Sequence, residues 1–288
     1  IPLQHGDVLH FASHEMRLME VAQAEQDELN STRFVAQPQS SKLPLGVSQL
    51  QHLLDERQVC CLYQPIVTLS GQLYAYELLG RGCRADFPVS PEALFHIAQS
   101  VPGKEVELSL LMRNVGVAEG EAQLRGQACK FFMNTHPAEL RNPRQLLDSL
   151  AALRERLPQT PLVLEIHEDA VTDIASLKRL SAALSAIDIE LAYDDFGAGQ
   201  TRLLELIEVP VKYVKFDMSL IQGIHLAGAA RQNMIASLVA MTRGMGIATL
   251  AEGVELQEEV ALCREIGFDL AQGYHFSKPL KTPLYTHC

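Results

Sequence analysis

Residues 161–195 read PLVLEIHEDAVTDIASLKRLSAALSAIDIELAYDD, and this stretch decides the fold class. It opens with an apolar run at Leu162–Ile166 and closes with another at Ile189–Tyr193, each of a length typical of a buried strand. Between them, apolar residues recur at steps of three or four from Ile174 to Ile187, which predicts an amphipathic helix. A strand, a helix and a second strand in succession indicate a βα repeat and a largely parallel sheet.

The same alternation extends in both directions from this unit. Eight strands with intervening helices over about 250 residues predict a TIM-type (βα)8 barrel, because a doubly wound sheet usually has fewer strands and a Gly-rich phosphate turn. The predicted strands are Cys60–Leu69, Gln72–Leu79, Ala128–Met133, Leu162–Ile166, Ile189–Tyr193, Val211–Phe216, Ile247–Ala251 and Phe268–Ala271.

The first 41 residues differ from the rest of the chain. The pattern predicts a helix over His14–Asn30, followed by a polar linker at Gln37–Lys42. We therefore expect residues 1–41 to be a connector or the tail of an upstream domain, and residues 42–288 to form the barrel domain. Because the sequence lacks an initiator Met, we expect it to belong to a longer protein that could be anchored in a membrane elsewhere.

Composition excludes several classes of protein. Of 288 residues, 47% are hydrophobic and 20% charged, which excludes disorder for most of the chain. The formal charge of −11 excludes a broad surface for a nucleic-acid duplex. There is no apolar run of the roughly 18 to 20 residues that a membrane helix needs, and no secretory signal pattern, so we expect no membrane contact and a cytoplasmic location. The six cysteines form no C-x-x-C pair and are expected to be reduced thiols.

Polar residues fall in or directly after the predicted strands. In a barrel the carboxyl ends of the strands meet at one mouth, so these side chains should face a common cavity although they are far apart in sequence. They are Glu77, Asn134, Glu165, Asp194, Lys215, Asp217, Glu252 and Gln272, with Asp195 beside Asp194.

Several carboxylates at close range raise one another's pKa and cannot all ionise unless cations offset their charge. The predicted ligands are oxygens, without His or Cys, which favours Mg²⁺ or Mn²⁺ over Zn²⁺. Adjacent Asp194 and Asp195 suit two cations, since one carboxylate can bridge both ions while its neighbour binds the second. A pair of metal ions is the usual arrangement for attack of water on a phosphodiester. Hydrolysis of a phosphate ester is the leading chemistry.

Eight short blocks carry these residues in order along the chain. They are YQPIV (63–67), YELLGR (76–81), FMNTHPAEL (132–140), LEIHE (164–168), YDDFGAG (193–199), VKFD (214–217), LAEGVE (250–255) and QGYHFSKPL (272–280). In order and spacing they resemble the EAL-domain phosphodiesterases over about residues 44–284. The resemblance implies a modified TIM barrel with an antiparallel strand, two Mg²⁺ or Mn²⁺ ions, hydrolysis of cyclic di-GMP to linear pGpG, and a homodimer formed through the barrel.

The resemblance also implies roles for individual residues. Glu77, Asn134, Glu165 and Asp194 would hold one ion, and Asp194 with Asp195 the other. Glu252 would act as general base or hold the attacking water, and Lys215 would orient that water. The implied substrate contacts are Gln64, Arg81, Asp217, Glu255, Gln272 and Pro279, with Arg81 on a phosphate and Gln272 and Pro279 in the guanine pocket.

The loop from Asp195 to Leu203 resembles the family's flexible loop, with Gly197 and Gly199 as its mobile positions and Glu168 as its anchor. The chain departs from the family pattern at Leu78, Gly82, His167 and residues 200–202, none of which is an implied metal ligand. Residues Leu9–Val35 faintly resemble the end of a GGDEF domain, so an upstream sensory or GGDEF-like domain is the expected neighbour.

Two other functions stay open. An EAL domain that has lost catalysis would serve as a cyclic di-GMP receptor, and an accidental resemblance would leave another metal-dependent barrel enzyme. Because every implied metal position and Lys215 are present, we expect an active enzyme, and we expect Ca²⁺ to occupy the site and inhibit.

Overall fold

The computed structural model describes residues 8–11, 14–17, 46–83, 90–124, 129–167, 174–197, 208–209 and 211–284. Eight strands close into a barrel, which confirms the predicted fold. They are β3 (Val59–Thr68), β4 (Leu73–Gly82), β5 (Lys130–Asn134), β6 (Leu162–His167), β7 (Ile189–Phe196), β8 (Tyr213–Phe216), β9 (Ala248–Ala251) and β10 (Leu270–Ala271).

Strand β3 is the antiparallel member of the barrel. It pairs antiparallel with β4 on one side and with β10 on the other, whereas all other neighbours pair parallel. The direction follows from the connection, because residues 69–72 alone separate β3 from β4, and a parallel crossover needs a dozen residues or more. Gly71, with φ of 86°, makes this tight turn.

Helices surround the barrel and pack against the outer faces of its strands. They are α1 (Val47–Asp55), α2 (Pro91–Ala98), α3 (Lys104–Leu124), α4 (Pro137–Arg141), α5 (Arg144–Arg156), α6 (Ile174–Ala186), α7 (Met218–Ile221), α8 (Ala229–Gly244) and α9 (Gln257–Ile266). Among the described helices, none combines the length and the apolar character that crossing a membrane would require.

An apolar layer fills the inside of the barrel. Each of the eight strands contributes one buried side chain to it, so the layer closes the lumen and forms a floor for whatever lies above. Its members are Ile66, Ala75, Phe132, Val163, Ala192, Tyr213, Leu250 and Leu270.

A separate hairpin precedes the barrel. Strand β1 (Val8–Phe11) pairs antiparallel with strand β2 (His14–Arg17). The predicted helix over His14–Asn30 is therefore wrong at its start, where cross-strand pairing holds the backbone extended. The rest of that helix lies outside the described residues, and the domain boundary at residue 42 stays a prediction.

Candidate active site at the mouth of the barrel

A polar layer lies directly above the apolar layer. Side chains two residues apart on a strand face the same side of a sheet, so moving two positions toward the mouth from each apolar residue reaches the next inward-facing residue. On the seven parallel strands this step is forward along the chain, and on the antiparallel β3 it is backward. The eight residues reached are Gln64, Glu77, Asn134, Glu165, Asp194, Lys215, Glu252 and Gln272. The structure thus brings together all of these predicted site residues.

Lys215 occupies the centre of this layer. Its Nζ lies 2.7 Å from Glu165 Oε1, 2.8 Å from Asp194 Oδ1 and 2.9 Å from Glu252 Oε1. A fourth carboxylate oxygen, Oε2 of Glu77, is 3.6 Å away. The Lys215 side chain is 1% exposed, so these contacts replace the water that an ammonium group requires.

One ammonium cannot balance the carboxylates around it. With Asp195 included there are five carboxylates, and five negative charges against one positive leave a formal charge of −4. Burial raises the pKa of Glu165 and of Glu252, although Lys215 acts in the opposite direction. Burial lowers the pKa of Lys215, but the surrounding carboxylates outweigh it and hold the pKa well above its ordinary value. The layer is therefore short of positive charge.

A β-bulge explains how adjacent Asp194 and Asp195 both reach the mouth. Tyr193 pairs with Val214 and Phe196 with Phe216, so β7 carries one more residue than β8 over this interval. Asp195 adopts a left-handed backbone conformation with φ of 55°, which is uncommon outside glycine and aims its side chain off the regular alternation. Carboxylate oxygens of Asp194, Asp195 and Glu252 consequently lie within 4.8 Å of one another.

Two amide side chains complete the layer through Glu77. Asn134 Nδ2 donates to Glu77 Oε1 at 3.0 Å, and Gln272 Nε2 donates to Glu77 Oε2 at 2.6 Å. Gln272 is buried, so the structure places it as a partner of Glu77 instead of on an open surface. Gln64 lies opposite Glu77 in the β3–β4 ladder. The strand predicted over Gln72–Leu79 is observed as β4, and it continues to Gly82 beyond Glu77.

The remaining predicted substrate contacts lie around the layer. Arg81 donates from Nη1 to the carbonyl of Gly80 at 2.8 Å. Asp217 caps α7 by accepting from Ser219 N at 2.9 Å, and Glu255 is exposed and accepts from Gln222 Nε2 at 3.3 Å. Pro279 precedes Leu280, whose backbone pairs with Tyr63 next to Gln64.

Of the three residues to which the sequence assigns a loop role, Glu168, Gly197 and Gly199, Gly197 alone lies within the described part of the chain. Its φ is 93°, so the backbone conformation favours glycine, and an added Cβ would lie 2.4 Å from Leu220 Cδ1, the movable end of that side chain. Glu168 and Gly199 lie outside the described residues. His167, which precedes Glu168, places Nε2 2.9 Å from Asp195 Oδ2.

A cavity of about 340 Å³ opens beside Glu77 and Asn134, between β4, β5, α2 and α3. The quoted motifs contain the cavity walls from β4 and β5, including Arg81, but not those from α2 and α3, which include Phe95, Met112 and Arg113. Two charged residues in and next to this wall, Arg113 and Glu139, form a buried ion pair at 2.7 Å. An arginine within the otherwise apolar run LLMRNVGV was the available sequence signal.

The donor set fits hard divalent cations. Carboxylate and amide oxygens surround the mouth, and the group that approaches within 4.8 Å contains oxygen ligands only. Glu165 Oε2 is buried and accepts no hydrogen bond from any described residue, which leaves a costly unpaired acceptor that a cation would satisfy.

The architecture is that of a closed eight-stranded barrel with one antiparallel strand and a carboxylate-lined mouth. The family model of the EAL domain matches residues 47–279, and the chain belongs to this family. The fold is shared with the FimX EAL domain from Pseudomonas aeruginosa bound to c-di-GMP, with a TM-score of 0.72 and 23% identity over 83% of this chain and 98% of that one.

Two other relatives are more similar to this chain in sequence. Cyclic di-GMP phosphodiesterase RocR of Pseudomonas aeruginosa is 30% identical, over 86% of this chain and 66% of RocR. The Klebsiella pneumoniae BlrP1 manganese/cy-diGMP complex has a TM-score of 0.67 and 28% identity, over 78% of this chain and 57% of that one. The chain spans just under two thirds of RocR and less than half of the next three curated relatives.

Proposed function

We propose that this chain is a metal-dependent phosphodiesterase that hydrolyses cyclic di-GMP to linear pGpG with the help of two Mg²⁺ or Mn²⁺ ions. The observation that carries the proposal is the polar layer, in which four carboxylates surround Lys215 at the mouth of an EAL barrel and a fifth, that of Asp195, lies beside them. The activity named for RocR and the manganese complex of BlrP1 support the same chemistry.

The metal ligands are proposed from this layer. Glu77, Asn134, Glu165 and Asp194 would hold one cation, and Asp194 with Asp195 would hold the other. The bulge supports this assignment because it brings the carboxylates of Asp194 and Asp195 close together. When bound, such a pair of ions stabilises the charge that develops on the phosphodiester and favours formation of the nucleophile.

Proton transfer is assigned to Glu252. Its carboxylate lies in the group with Asp194 and Asp195, and burial raises its pKa, which makes it a stronger base than an exposed glutamate. Lys215, 2.9 Å from Glu252 Oε1, orients the attacking water and offsets negative charge.

Substrate contacts are proposed around this centre. Arg81 lines the cavity beside Glu77 and Asn134 and binds a phosphate through its guanidinium fork. The other proposed contacts are Gln64, Asp217, Glu255, Gln272 and Pro279, with Gln272 and Pro279 in the guanine pocket. The Gln272 side chain also donates a hydrogen bond to Glu77, so replacing Gln272 would disturb metal binding as well. Glu168 anchors the loop that contains Gly197 and Gly199.

The setting of the enzyme is also proposed. The barrel forms a homodimer, an upstream sensory or GGDEF-like domain controls it, and the active domain works in the cytoplasm. Cyclic di-GMP is present in the FimX and BlrP1 structures, and this supports it as the ligand here.

Product analysis tests the proposal. The protein is incubated with cyclic di-GMP and Mg²⁺ or Mn²⁺, and nucleotides are separated by chromatography. Formation of pGpG supports the enzyme, and unchanged but bound cyclic di-GMP supports the receptor. If the protein neither hydrolyses nor binds cyclic di-GMP, another substrate is indicated. The Glu252→Gln variant should bind cyclic di-GMP yet turn it over about 10² to 10⁴-fold more slowly. Normal turnover by this variant contradicts the role of Glu252.

A further inference from the structure

A buried ion pair forms hydrogen bonds with the backbone of the loop that follows β5. Arg113 lies on α3 and Glu139 on α4, and their side chains are 2% and 0% exposed. Arg113 Nη2 lies 2.7 Å from Glu139 Oε1 and 2.9 Å from Oε2, and Ser109 Oγ donates to Oε1 at 2.6 Å. The pair is thus shielded from solvent, and its contacts are made by Nη2 and Nε, since Arg113 Nη1 has no hydrogen-bond partner among the described residues.

The same two side chains bind backbone on both sides of Thr135. Arg113 donates to the carbonyl oxygen of Asn134, from Nη2 at 3.2 Å and from Nε at 3.4 Å. Glu139 Oε1 accepts from the backbone N–H of His136 at 3.0 Å. The pair therefore fixes the peptide from which the Asn134 side chain projects toward Glu77.

Stability alone is a weak reason for such a pair. Replacing a buried ion pair with apolar side chains of similar volume is often neutral or stabilising, because burying two charges is costly. An apolar pair, however, cannot bind the Asn134 carbonyl and the His136 N–H. The planar guanidinium suits this task, since it can donate to a carboxylate and a carbonyl at once.

We propose that Arg113 and Glu139 are positioning residues for Asn134 and set its orientation in the metal site. This inference rests on the proposed function, in which Asn134 is a metal ligand. Removing a residue that orients a metal ligand without touching the metal itself typically lowers metal affinity by about 10 to 100-fold.

A double-mutant cycle tests the coupling. Mn²⁺ binding to the purified chain is measured by calorimetry for the parent, Arg113→Met, Asn134→Ala and the double variant. We expect each single change to weaken Mn²⁺ binding about tenfold, and the double variant to bind like Asn134→Ala alone, because Arg113 acts through Asn134. A merely structural role predicts effects that multiply in the double variant.

The matched control is Lys130→Met, which breaks the Lys130–Glu190 ion pair at the other end of β5. It should leave Mn²⁺ affinity unchanged. If Arg113→Met fails to fold because Glu139 is left unpaired, Arg113→Met with Glu139→Leu removes both charges and is compared with and without Asn134→Ala.

The outcomes separate this inference from the proposed function. Absence of Mn²⁺ binding by the parent chain would contradict the proposed metal site. Normal Mn²⁺ affinity after Arg113→Met, or multiplied effects in the cycle, would overturn the positioning role alone. If Asn134→Ala binds Mn²⁺ with normal affinity, Asn134 is not a metal ligand, and the positioning role of Arg113 and Glu139 is overturned as well. The proposed hydrolysis of cyclic di-GMP would still be tested separately, by product analysis.

Discussion

Replacing Lys215 with Met should destabilise the metal-free protein strongly. The substitution removes the only ammonium group in contact with Glu165, Asp194 and Glu252 among the described residues, but retains much of the side-chain volume. Leaving buried charges without their partner costs about 3 to 5 kcal/mol. For a domain of roughly 240 residues, at about 2 to 4 °C per kcal/mol, the expected fall in Tm is about 6 to 20 °C.

The pH dependence gives this prediction a second, independent readout. Burial already raises the pKa of Glu165 and Glu252 above the ordinary 4.5, and losing Lys215 raises both further. The folded state then binds more protons than the unfolded state from about pH 4.5 upward, so stability falls as pH rises through that window. Lys215→Met should therefore approach the parent stability near pH 4.5 and differ most at neutral and alkaline pH.

Thermal melts in a chelator, recorded between pH 4.5 and 8, measure both effects. Lys178→Met is the matched control, because it breaks an ion pair with Glu208 in which both side chains are about half exposed, and such pairs contribute at most about 1 kcal/mol. Adding Mn²⁺ should raise the Tm of Lys215→Met by more than that of the parent. A Lys215→Met protein as stable as the parent at pH 8 would refute the charge argument.

Three further predictions concern Glu259, Gly253 and the effect of Ca²⁺. Glu259 accepts backbone N–H groups of Glu255, Leu256 and Gly223 at 2.8 to 3.1 Å. Burial acts to raise the pKa of Glu259, but these bonds outweigh it and lower the pKa. Glu259→Gln should thus lower the free energy of unfolding by about 1.5 to 3 kcal/mol in urea melts at pH 7. The difference in stability from the parent should shrink as pH falls below about 4.5, where the Glu259 carboxylate becomes protonated. Gly253 has φ of 64°, and an added Cβ would lie 2.5 Å from Met218 Cβ, so Gly253→Ala should displace the adjacent Glu252 and slow turnover at least about tenfold. Gly103→Ala, at φ of 84° but with open space around it, should leave turnover unchanged; equal losses in both variants would contradict the steric argument. Ca²⁺ should compete with Mg²⁺ and suppress pGpG formation in a titration, since it is larger and tolerates looser coordination; full activity in Ca²⁺ alone would disprove this.

The barrel and its polar layer could be predicted because both follow from periodicity. Alternation of short apolar runs with helical patterns gave eight strands, and all eight are observed. The layer obeys the two-residue period of a strand, so Lys215 follows from Tyr213, and Glu165 from Val163. The short connection at residues 69–72 also indicates that β3 and β4 are antiparallel, but the antiparallel strand was predicted only from the family resemblance.

Features that depend on three-dimensional contact could not be predicted. The bulge at Asp194–Asp195 adds one residue against β8, and no residue pattern in YDDF marks it. The pairing of Arg113 with Glu139 joins two residues that lie on different helices, 26 positions apart in the chain. The early segment failed for another reason, since cross-strand pairing at His14–Arg17 overrides its weak helical pattern.

The seam between β3 and β10 has a consequence for the way the protein is made. These are the first and last strands of the barrel, and they meet through only two residue pairs, Leu270 with Thr68 and Ala271 with Val67. During synthesis from the amino terminus, β3 leaves the ribosome about 200 residues before its partner exists. The carboxylate-lined mouth can therefore assemble only after residues 270–272 have been made, and a chain truncated before residue 270 would expose an open sheet edge instead of a functional centre.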